Sequence, residues 1–254
     1  MNSAAAAFAF SLALAPLLCA APAAQADEKQ AFQALLAEKQ AALVTVKFVL
    51  KVRSRFGERE NDREITGVMV APDGLTLCAN SQLAGFWGQR SDVTATPTDI
   101  KVLIGDDLEG VGARLVARDS ELDLAWLRVD APERAPLAFV DFSHGAAPEV
   151  GDALFTIDRL AKYFDRAPIV RTTRVGAVTS KPRKMYVPTA SLGALGLPVY
   201  DDAGAVVGVS IALRPDEDED GGDGSQGWGM ILPAGEVAKA TRRARDAAQS
   251  EDGD

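Results

Sequence analysis

Short runs of alternating apolar and polar residues, many of them β-branched, make up most of this chain. This pattern is typical of β-strands that bury one face. The first such run is residues 44–52, and the charged stretch at 53–64 that follows is predicted to be a loop. Further strands are predicted at residues 100–104, 111–117, 123–129, 153–157, 170–180, 204–211 and 228–232. The chain is therefore predicted to be mainly β.

Helical spacing of apolar residues precedes the first strand, in residues 28–42. Ala31, Leu35 and Leu36 fall on one stripe there, with charged residues between them. An apolar stripe of this kind predicts an amphipathic helix that packs against the rest of the domain.

The first 26 residues are rich in alanine and leucine and end in Ala24-Gln25-Ala26. Small residues at these positions predict a signal peptide (residues 1–26) that is cleaved before Asp27, so we expect a periplasmic or secreted protein. An uncleaved anchor is an alternative because the segment carries no lysine or arginine, and Cys19 raises a lipoprotein alternative. No later stretch has the length of a transmembrane helix, so we expect no integral membrane protein after cleavage.

Composition narrows the function classes. With 254 residues and 47% hydrophobic residues, the chain can bury a sizeable core. Its net charge of -9 predicts that nucleic acid is not a partner. After cleavage Cys78 is the sole cysteine, which excludes an intramolecular disulfide, and its apolar strand favours a buried, unreactive thiol. One cysteine and one histidine are too few ligands for an ordinary zinc site, and we predict no cofactor.

Three stretches, at residues 67–85, 119–129 and 193–199, together resemble in order and spacing the protease domain of the trypsin-like serine proteases of the HtrA/DegP type. The first, residues 67–85, has two apolar runs joined by Pro72-Asp73-Gly74. The second, residues 119–129, is similar to the family's block around the aspartate that orients the catalytic histidine. The third, residues 193–199, keeps the glycine and proline frame around the family's nucleophile. Residues 204–211 and 227–233 are similar to the strands that follow it.

The resemblance implies an all-β fold of two six-stranded antiparallel β-barrels with an N-terminal and a C-terminal helix. It places the first barrel at about residues 43–130 and the second at about 151–233, joined by a linker at 131–150. The closing helix is expected at 234–248. Because the chain stops at Asp254, we expect no PDZ domain of the kind that often follows this protease domain.

The resemblance also places the catalytic triad, and two of its members are replaced. Ser81 stands where the family has its histidine base, and Leu195 stands where it has its serine nucleophile, whereas Asp123 matches the orienting aspartate. Leucine has no nucleophilic atom and serine no base that ionises near neutral pH, so acyl transfer by this route is lost. We therefore expect a catalytically inactive homologue, a pseudoprotease, that acts by binding an unknown protein or peptide.

The alternative is a divergent active serine endopeptidase with a non-standard catalytic arrangement. It would need another base or nucleophile. His144 lies in a predicted surface turn, where a solvated histidine is the simpler interpretation. Ser191 and Lys184 could form a serine-lysine pair, but their spacing does not establish contact.

The expected cleft contains the remnant of the oxyanion loop, Gly193, Ala194 and Leu195, and Ser191 and Leu197 as candidate lining residues. Leu197 replaces a glycine of the family pattern and is expected to fill part of the pocket. Leu195 and Leu197 either form an apolar groove that holds a peptide, or they only pack against neighbouring residues after the loss of catalytic activity. We expect Asp123 to accept a hydrogen bond from Ser81, from a backbone N–H or from a bridging water.

An acidic run at residues 216–224 interrupts the space between two predicted strands. Asp216, Asp218 and Asp220 have the spacing that opens a calcium-binding loop. Position twelve of such a loop would be Gly227 rather than glutamate, and strands rather than helices flank the run. We therefore predict a solvated acidic loop, with no metal site, and keep calcium as the alternative.

Overall fold

The computed structural model describes residues 23–84, 93–130, 136–213 and 228–251. Within these ranges, twelve strands form two closed six-stranded barrels, with one long helix before the first barrel and another after the second. All paired strands are antiparallel. The double-barrel fold class that the resemblance implies is confirmed.

The first barrel closes in the order β1-β2-β3-β6-β5-β4. Its strands are β1 (Leu43–Ser54), β2 (Gly57–Met69), β3 (Leu75–Ala79), β4 (Val93–Ile104), β5 (Val111–Asp119) and β6 (Leu124–Val129). A short helix, α2 (Asn80–Ala84), follows β3 directly.

The second barrel closes in the order β10-β11-β12-β9-β8-β7. Its strands are β7 (Ala153–Arg159), β8 (Pro168–Thr179), β9 (Met185–Pro188), β10 (Pro198–Tyr200), β11 (Val206–Leu213) and β12 (Trp228–Pro233). A 3₁₀ turn, Lys162–Phe164, joins β7 to β8. The sequence pattern did not predict β9 and β10, because three or four residues are too few to show alternation.

Two helices flank the barrels. α1 spans Ala23–Lys39 and passes through a 3₁₀ turn, Gln40–Ala42, into β1. Leu35 is buried, as its apolar stripe predicts. α3 spans Ala234–Glu251, directly after β12. Among the described residues, no helix combines the length and apolar character needed to cross a bilayer.

The predicted charged loop at residues 53–64 is wrong. β1 and β2 continue through this stretch as a hairpin that pairs Ser54 with Gly57. Opposite charges face each other across the strands, with Lys51 Nζ 3.0 Å from Glu60 Oε1. In this hairpin, residues 57–64 of β2 are exposed on both faces. Charged residues therefore occupy both faces, and the alternation of apolar and polar residues that marks a strand is missing.

Three buried apolar clusters form the core. One fills the first barrel, one fills the second, and the largest lies between the barrels and reaches α1 and α3. Strand β3 is buried on both faces: Leu77 belongs to the cluster between the barrels, whereas the next residue, Cys78, belongs to the interior of the first barrel. The cluster between the barrels therefore fixes how the two halves meet.

Polar contacts also cross from one barrel to the other. Arg166 forms a bidentate pair with Glu64, with Nη2–Oε1 and Nε–Oε2 distances of 2.8 and 3.1 Å. The Thr66 hydroxyl donates to Asp158 Oδ1 at 2.9 Å. These contacts hold the end of β7 and the start of β8 against β2.

Candidate functional site: the cleft between the barrels

Asp123 occupies the residue just before β6 and is the buried carboxylate of the cleft. Its φ of 54° lies in the left-handed region, which aspartate tolerates better than most residues. Only 5% of its surface is exposed. A buried carboxylate needs hydrogen-bond donors, and they come from both barrels.

The donors to Asp123 include two groups of Ser81 and one of Ala212. At the start of α2, the Ser81 backbone N–H donates to Oδ1 at 2.7 Å and its hydroxyl donates to Oδ2 at 3.0 Å. From β11, the Ala212 backbone N–H donates to Oδ2 at 3.0 Å. The contact expected between Ser81 and Asp123 is confirmed, and the carboxylate also ties the first barrel to the second.

The loop that carries Leu195 is seated against the first barrel. Gly196 has a φ of 74°, and a side chain there would collide with the backbone of Ala79 and Cys78. The Gly196 N–H donates to Ser210 O at 2.7 Å. Glycine is thus required both by the backbone conformation and by the close approach. Leu195, half-buried, presents an aliphatic side chain at the position that the resemblance assigns to the nucleophile.

The two N–H groups that the resemblance assigns to the oxyanion hole differ in their partners. The Gly193 N–H donates to Ser191 Oγ at 3.1 Å. In the part of the chain that the structure describes, the Leu195 N–H donates no hydrogen bond. Gly193 has a φ of 63°. Left-handed residues of this kind turn successive N–H groups toward one side, an arrangement that binds anions.

A cavity of about 380 Å³ opens beside this loop. Its lining is mostly apolar and is drawn from the loop, β11 and β12, with Gln82 from α2 at one side. The lining residues are Gln82, Pro188, Ser191, Leu192, Gly193, Ala194, Leu195, Ser210, Ile211, Ala212, Gly229, Met230 and Ile231. Sequence reasoning placed Ser191 and residues 193–195 here but missed the residues of β11 and β12, whose alternation shows only that one face is buried.

Leu197 does not line the cavity, contrary to expectation. Its side chain is 1% exposed and packs in the apolar cluster between the barrels. The left-handed turn at Gly196 precedes it, and the Ser210 N–H donates to Leu197 O at 3.0 Å. The leucine therefore strengthens the core and leaves the cavity open.

His144 is the base that the alternative catalytic arrangement would need. Its side chain is 90% exposed. Nδ1 lies 2.8 Å from Ser143 Oγ and 3.7 Å from Asp141 Oδ2. A catalytic relay uses one ring nitrogen for the serine and the other for the aspartate. Here both neighbours approach the same nitrogen, so the geometry of a triad is not met.

The other candidate nucleophiles are also unsupported by the geometry. Lys184 places its ammonium 5.4 Å from the centre of the Tyr186 ring, and Ser191 Oγ accepts the Gly193 N–H. No hydrogen bond joins Ser191 to Lys184 among the described residues. Burial, with a smaller contribution from Asp123, raises the pKa of the Cys78 thiol to about 12, so the thiolate is scarce near neutral pH.

The acidic run with Asp216, Asp218 and Asp220 lies outside the described residues, so its calcium alternative stays a prediction. Within the described ranges, no group of three or more histidine, cysteine, aspartate or glutamate side chains is arranged to hold a metal ion.

This arrangement defines the trypsin-like class: two closed barrels, with a buried aspartate, a short helix and a glycine-framed loop that meet between them. Residues 65–209 match the trypsin-like peptidase domain family. The chain belongs to this family.

Individual relatives agree. A protein described as a probable periplasmic serine endoprotease DegP-like, from Rickettsia prowazekii (strain Madrid E), is 27% identical over 161 residues, which cover 58% of this chain and 28% of the relative. The chain thus matches less than a third of that relative's length. The crystal structure of Deg5 is similar in fold, with a TM-score of 0.56 and 16% identity over 84% of this chain and 92% of that one.

Proposed function

We propose that this chain is a catalytically inactive member of the trypsin-like family that acts by binding a protein or peptide. The observation that carries the proposal is the leucine at the position that the resemblance assigns to the nucleophile, a residue that lines the cavity. Without a hydroxyl or thiol at Leu195, the attack that begins peptide-bond cleavage has no attacking atom.

The neighbouring polar groups support a role without proton transfer. The carboxylate of Asp123 accepts both the N–H and the hydroxyl of Ser81. A serine hydroxyl does not accept a proton near neutral pH, unlike the imidazole of a histidine base, so this pair is suited to stabilising the cleft rather than to catalysis. The cavity, in contrast, remains open and mostly apolar, as binding sites for small ligands and peptide side chains usually are.

We further propose a periplasmic or secreted location. The relative from Rickettsia prowazekii is described as periplasmic. The alanine- and leucine-rich first 26 residues, with small residues before Asp27, support the same location as a signal peptide.

The test is whether the protein binds an unfolded substrate without cutting it. We expect fluorescein-labelled casein to show increased anisotropy on titration with the protein, while its mass stays unchanged over a day. A fluorophosphonate probe should label no serine. Labelling of a serine that is abolished by its substitution with alanine would contradict the proposal and favour the divergent endopeptidase.

A double variant, Ser81→His with Leu195→Ser, tests how far the cleft is from an enzyme. We expect slow turnover at best, because the Gly193 N–H is already donated to Ser191 Oγ and loss of one oxyanion donor costs about 10²–10³ in kcat. Leu195→Ser alone is the control, since it lacks a base. Rapid casein cleavage by the double variant would contradict this account of the oxyanion loop.

A further inference from the structure

Arg171 packs against Gly193 of the oxyanion-loop remnant and is not one of the three residues compared with the catalytic triad. It stands near the start of β8 and pairs with Thr156 of β7. A methyl group on the Cα of Gly193 would lie 3.5 Å from both Cζ and Nη1 of Arg171. The guanidinium therefore packs against Gly193, and Gly193 also lines the apolar cavity.

The hydrogen-bond donors of Arg171 are unused. Its Nε is buried without a partner, and none of its guanidinium N–H groups donates a hydrogen bond among the described residues. The nearest carboxylate is Asp158, whose Oδ2 is 3.8 Å from Nη2, beyond hydrogen-bond distance. Asp158 Oδ1 already accepts from the Thr66 hydroxyl and the Arg159 N–H. Burial of Nε without an acceptor is unfavourable, whereas the exposed part of the guanidinium remains accessible to a ligand.

We propose that Arg171 binds the free C-terminal carboxylate of a peptide whose last side chain is apolar. The inference rests on the proposed function and names the ligand of the same cleft. A guanidinium matches the two oxygens of a carboxylate, and the Leu195 N–H provides a further donor on the same loop.

The position of Gly193 selects the C-terminus over other carboxylates. This residue touches the apolar cavity and the guanidinium at once. Only the last residue of a peptide carries an apolar side chain and a carboxylate on one Cα atom, so it can fill the cavity and reach the cation together. The chain has a net charge of -9, which repels anionic peptides in general, so a preference for a carboxylate must come from a local cation.

The experiment compares two peptides on the full-length protein. One is acetyl-Ala-Ala-Ala-Leu with a free carboxylate, and the other is the same peptide with a C-terminal amide. Titrations of ¹⁵N-labelled protein at pH 7 follow the amide signals of Gly193 and Leu195 and the Nε signal of Arg171. We expect the free acid to bind at least about tenfold more tightly than the amide and to shift all three signals.

Two variants on β8 distinguish a specific role of Arg171 from an effect of the protein's net charge. Arg171→Gln should remove the preference for the free acid. Arg174→Gln removes the same charge from an exposed residue whose Nη1 donates to Gly151 O at 2.8 Å, and should keep the preference. Melting curves of both variants establish that they are folded. Should Arg171→Gln fail to fold, Arg171→Lys keeps the charge, loses the planar fork and should weaken the preference.

Each remaining outcome has a definite meaning. Equal affinity for acid and amide would overturn the role of Arg171 but leave peptide binding in the cleft intact. Equally tight binding of acetyl-Ala-Ala-Leu-Asp amide would overturn the assignment to the C-terminus, since its carboxylate is on a side chain. Absence of binding by every peptide at millimolar concentration, together with no binding of casein, would contradict the proposed function itself.

Discussion

The cleft has two polar corners that differ in how their groups are satisfied. At one corner, Asp123 is 5% exposed and accepts hydrogen bonds from Ser81 and Ala212. At the other, the Arg171 side chain is 36% exposed and its guanidinium donates no hydrogen bond among the described residues. We call these the closed corner and the open corner.

The difference separates stability from ligand binding. The closed corner joins Ser81 and Asp123 of the first barrel, which the resemblance assigns to the family's base and orienting aspartate, to the Ala212 N–H of the second barrel. Such a network contributes to folding, because breaking it leaves buried groups without partners. The open corner contributes little to folding and leaves a cation beside an apolar cavity. Substitutions at the two corners should therefore affect different measurements.

The largest effect is expected from Gly196→Ala, which disrupts the packing of the Leu195 loop against the first barrel, next to the closed corner. The added methyl group would collide with the backbone of Ala79 and Cys78, and φ is 74°. We expect the free energy of unfolding to fall by roughly 4 kcal/mol, measured by urea denaturation.

Gly204→Ala is the matched control for this loss. Gly204 has a φ of 76° but no atom within 4 Å of an added methyl group. It should lose only the backbone contribution, about 1–2 kcal/mol. Equal losses in the two variants would show that the close approach of the loop to the first barrel has no energetic weight.

Asp123→Ala should give the next largest effect, roughly 3 kcal/mol, because the N–H groups of Ser81 and Ala212 lose their acceptor. Asp123→Asn keeps one acceptor oxygen and tolerates the left-handed backbone, so its loss should be smaller, in the range of about 1–3 kcal/mol. Ser81→Ala removes one hydroxyl donor and should cost about 1 kcal/mol. Calorimetric melting establishes the ranking, and a reversed order would contradict the account of the closed corner.

A smaller effect is expected from Cys78, which lies beneath the closed corner. Burial and then Asp123 raise the pKa of its thiol from 9.0 to about 12. Above pH 9 the unfolded chain releases this proton while the folded chain retains it. Stability should therefore fall with rising pH, by up to about 1.4 kcal/mol for each pH unit.

Urea denaturation at pH 8.0, 9.0 and 10.0 measures this slope, and the same series on Cys78→Ala provides the baseline. In the native protein at pH 8, a disulfide reagent such as dithionitrobenzoate should react with the thiol only after urea is added. Rapid reaction without urea, or an unchanged slope in the variant, would show that Cys78 is accessible.

The smallest effect is expected at the open corner. Arg171→Gln removes an ion pair of 3.8 Å with Asp158 and no hydrogen bond within the described residues. The free energy of unfolding should change by less than about 0.5 kcal/mol in urea denaturation. A loss of 2 kcal/mol or more would mean that Arg171 is structural and would remove the contrast between the corners.

Several parts of this protein were predictable from residues alone. Alternation located most of the longer strands, since a strand with one buried face repeats every two residues. The family resemblance of three stretches implied the double barrel, and it placed Ser81 beside Asp123. The hairpin of β1 and β2 was missed because charged pairs such as Lys51 and Glu60 cover both of its faces.

The candidate site also has features that were predictable from the sequence and features that were not. Leu195 alone, read against the family frame, was sufficient to predict a missing nucleophile, because the chemistry depends on residue type. Which way Leu197 points was not predictable from spacing. It depends on the left-handed turn at Gly196 and on the apolar cluster that accepts its side chain.

What the sequence by itself determined, then, is where most of the longer strands lie and which residue types stand in the three family-like stretches, because hydrophobic period and side-chain chemistry are local properties. Only the tertiary structure decided that Ala212 completes the closed corner and that Arg171 meets Gly193. These partners are distant in sequence, and their contact depends on how the two barrels curve and close. The identity of a residue states what it can bind, whereas its neighbours in space decide whether that capacity is already used.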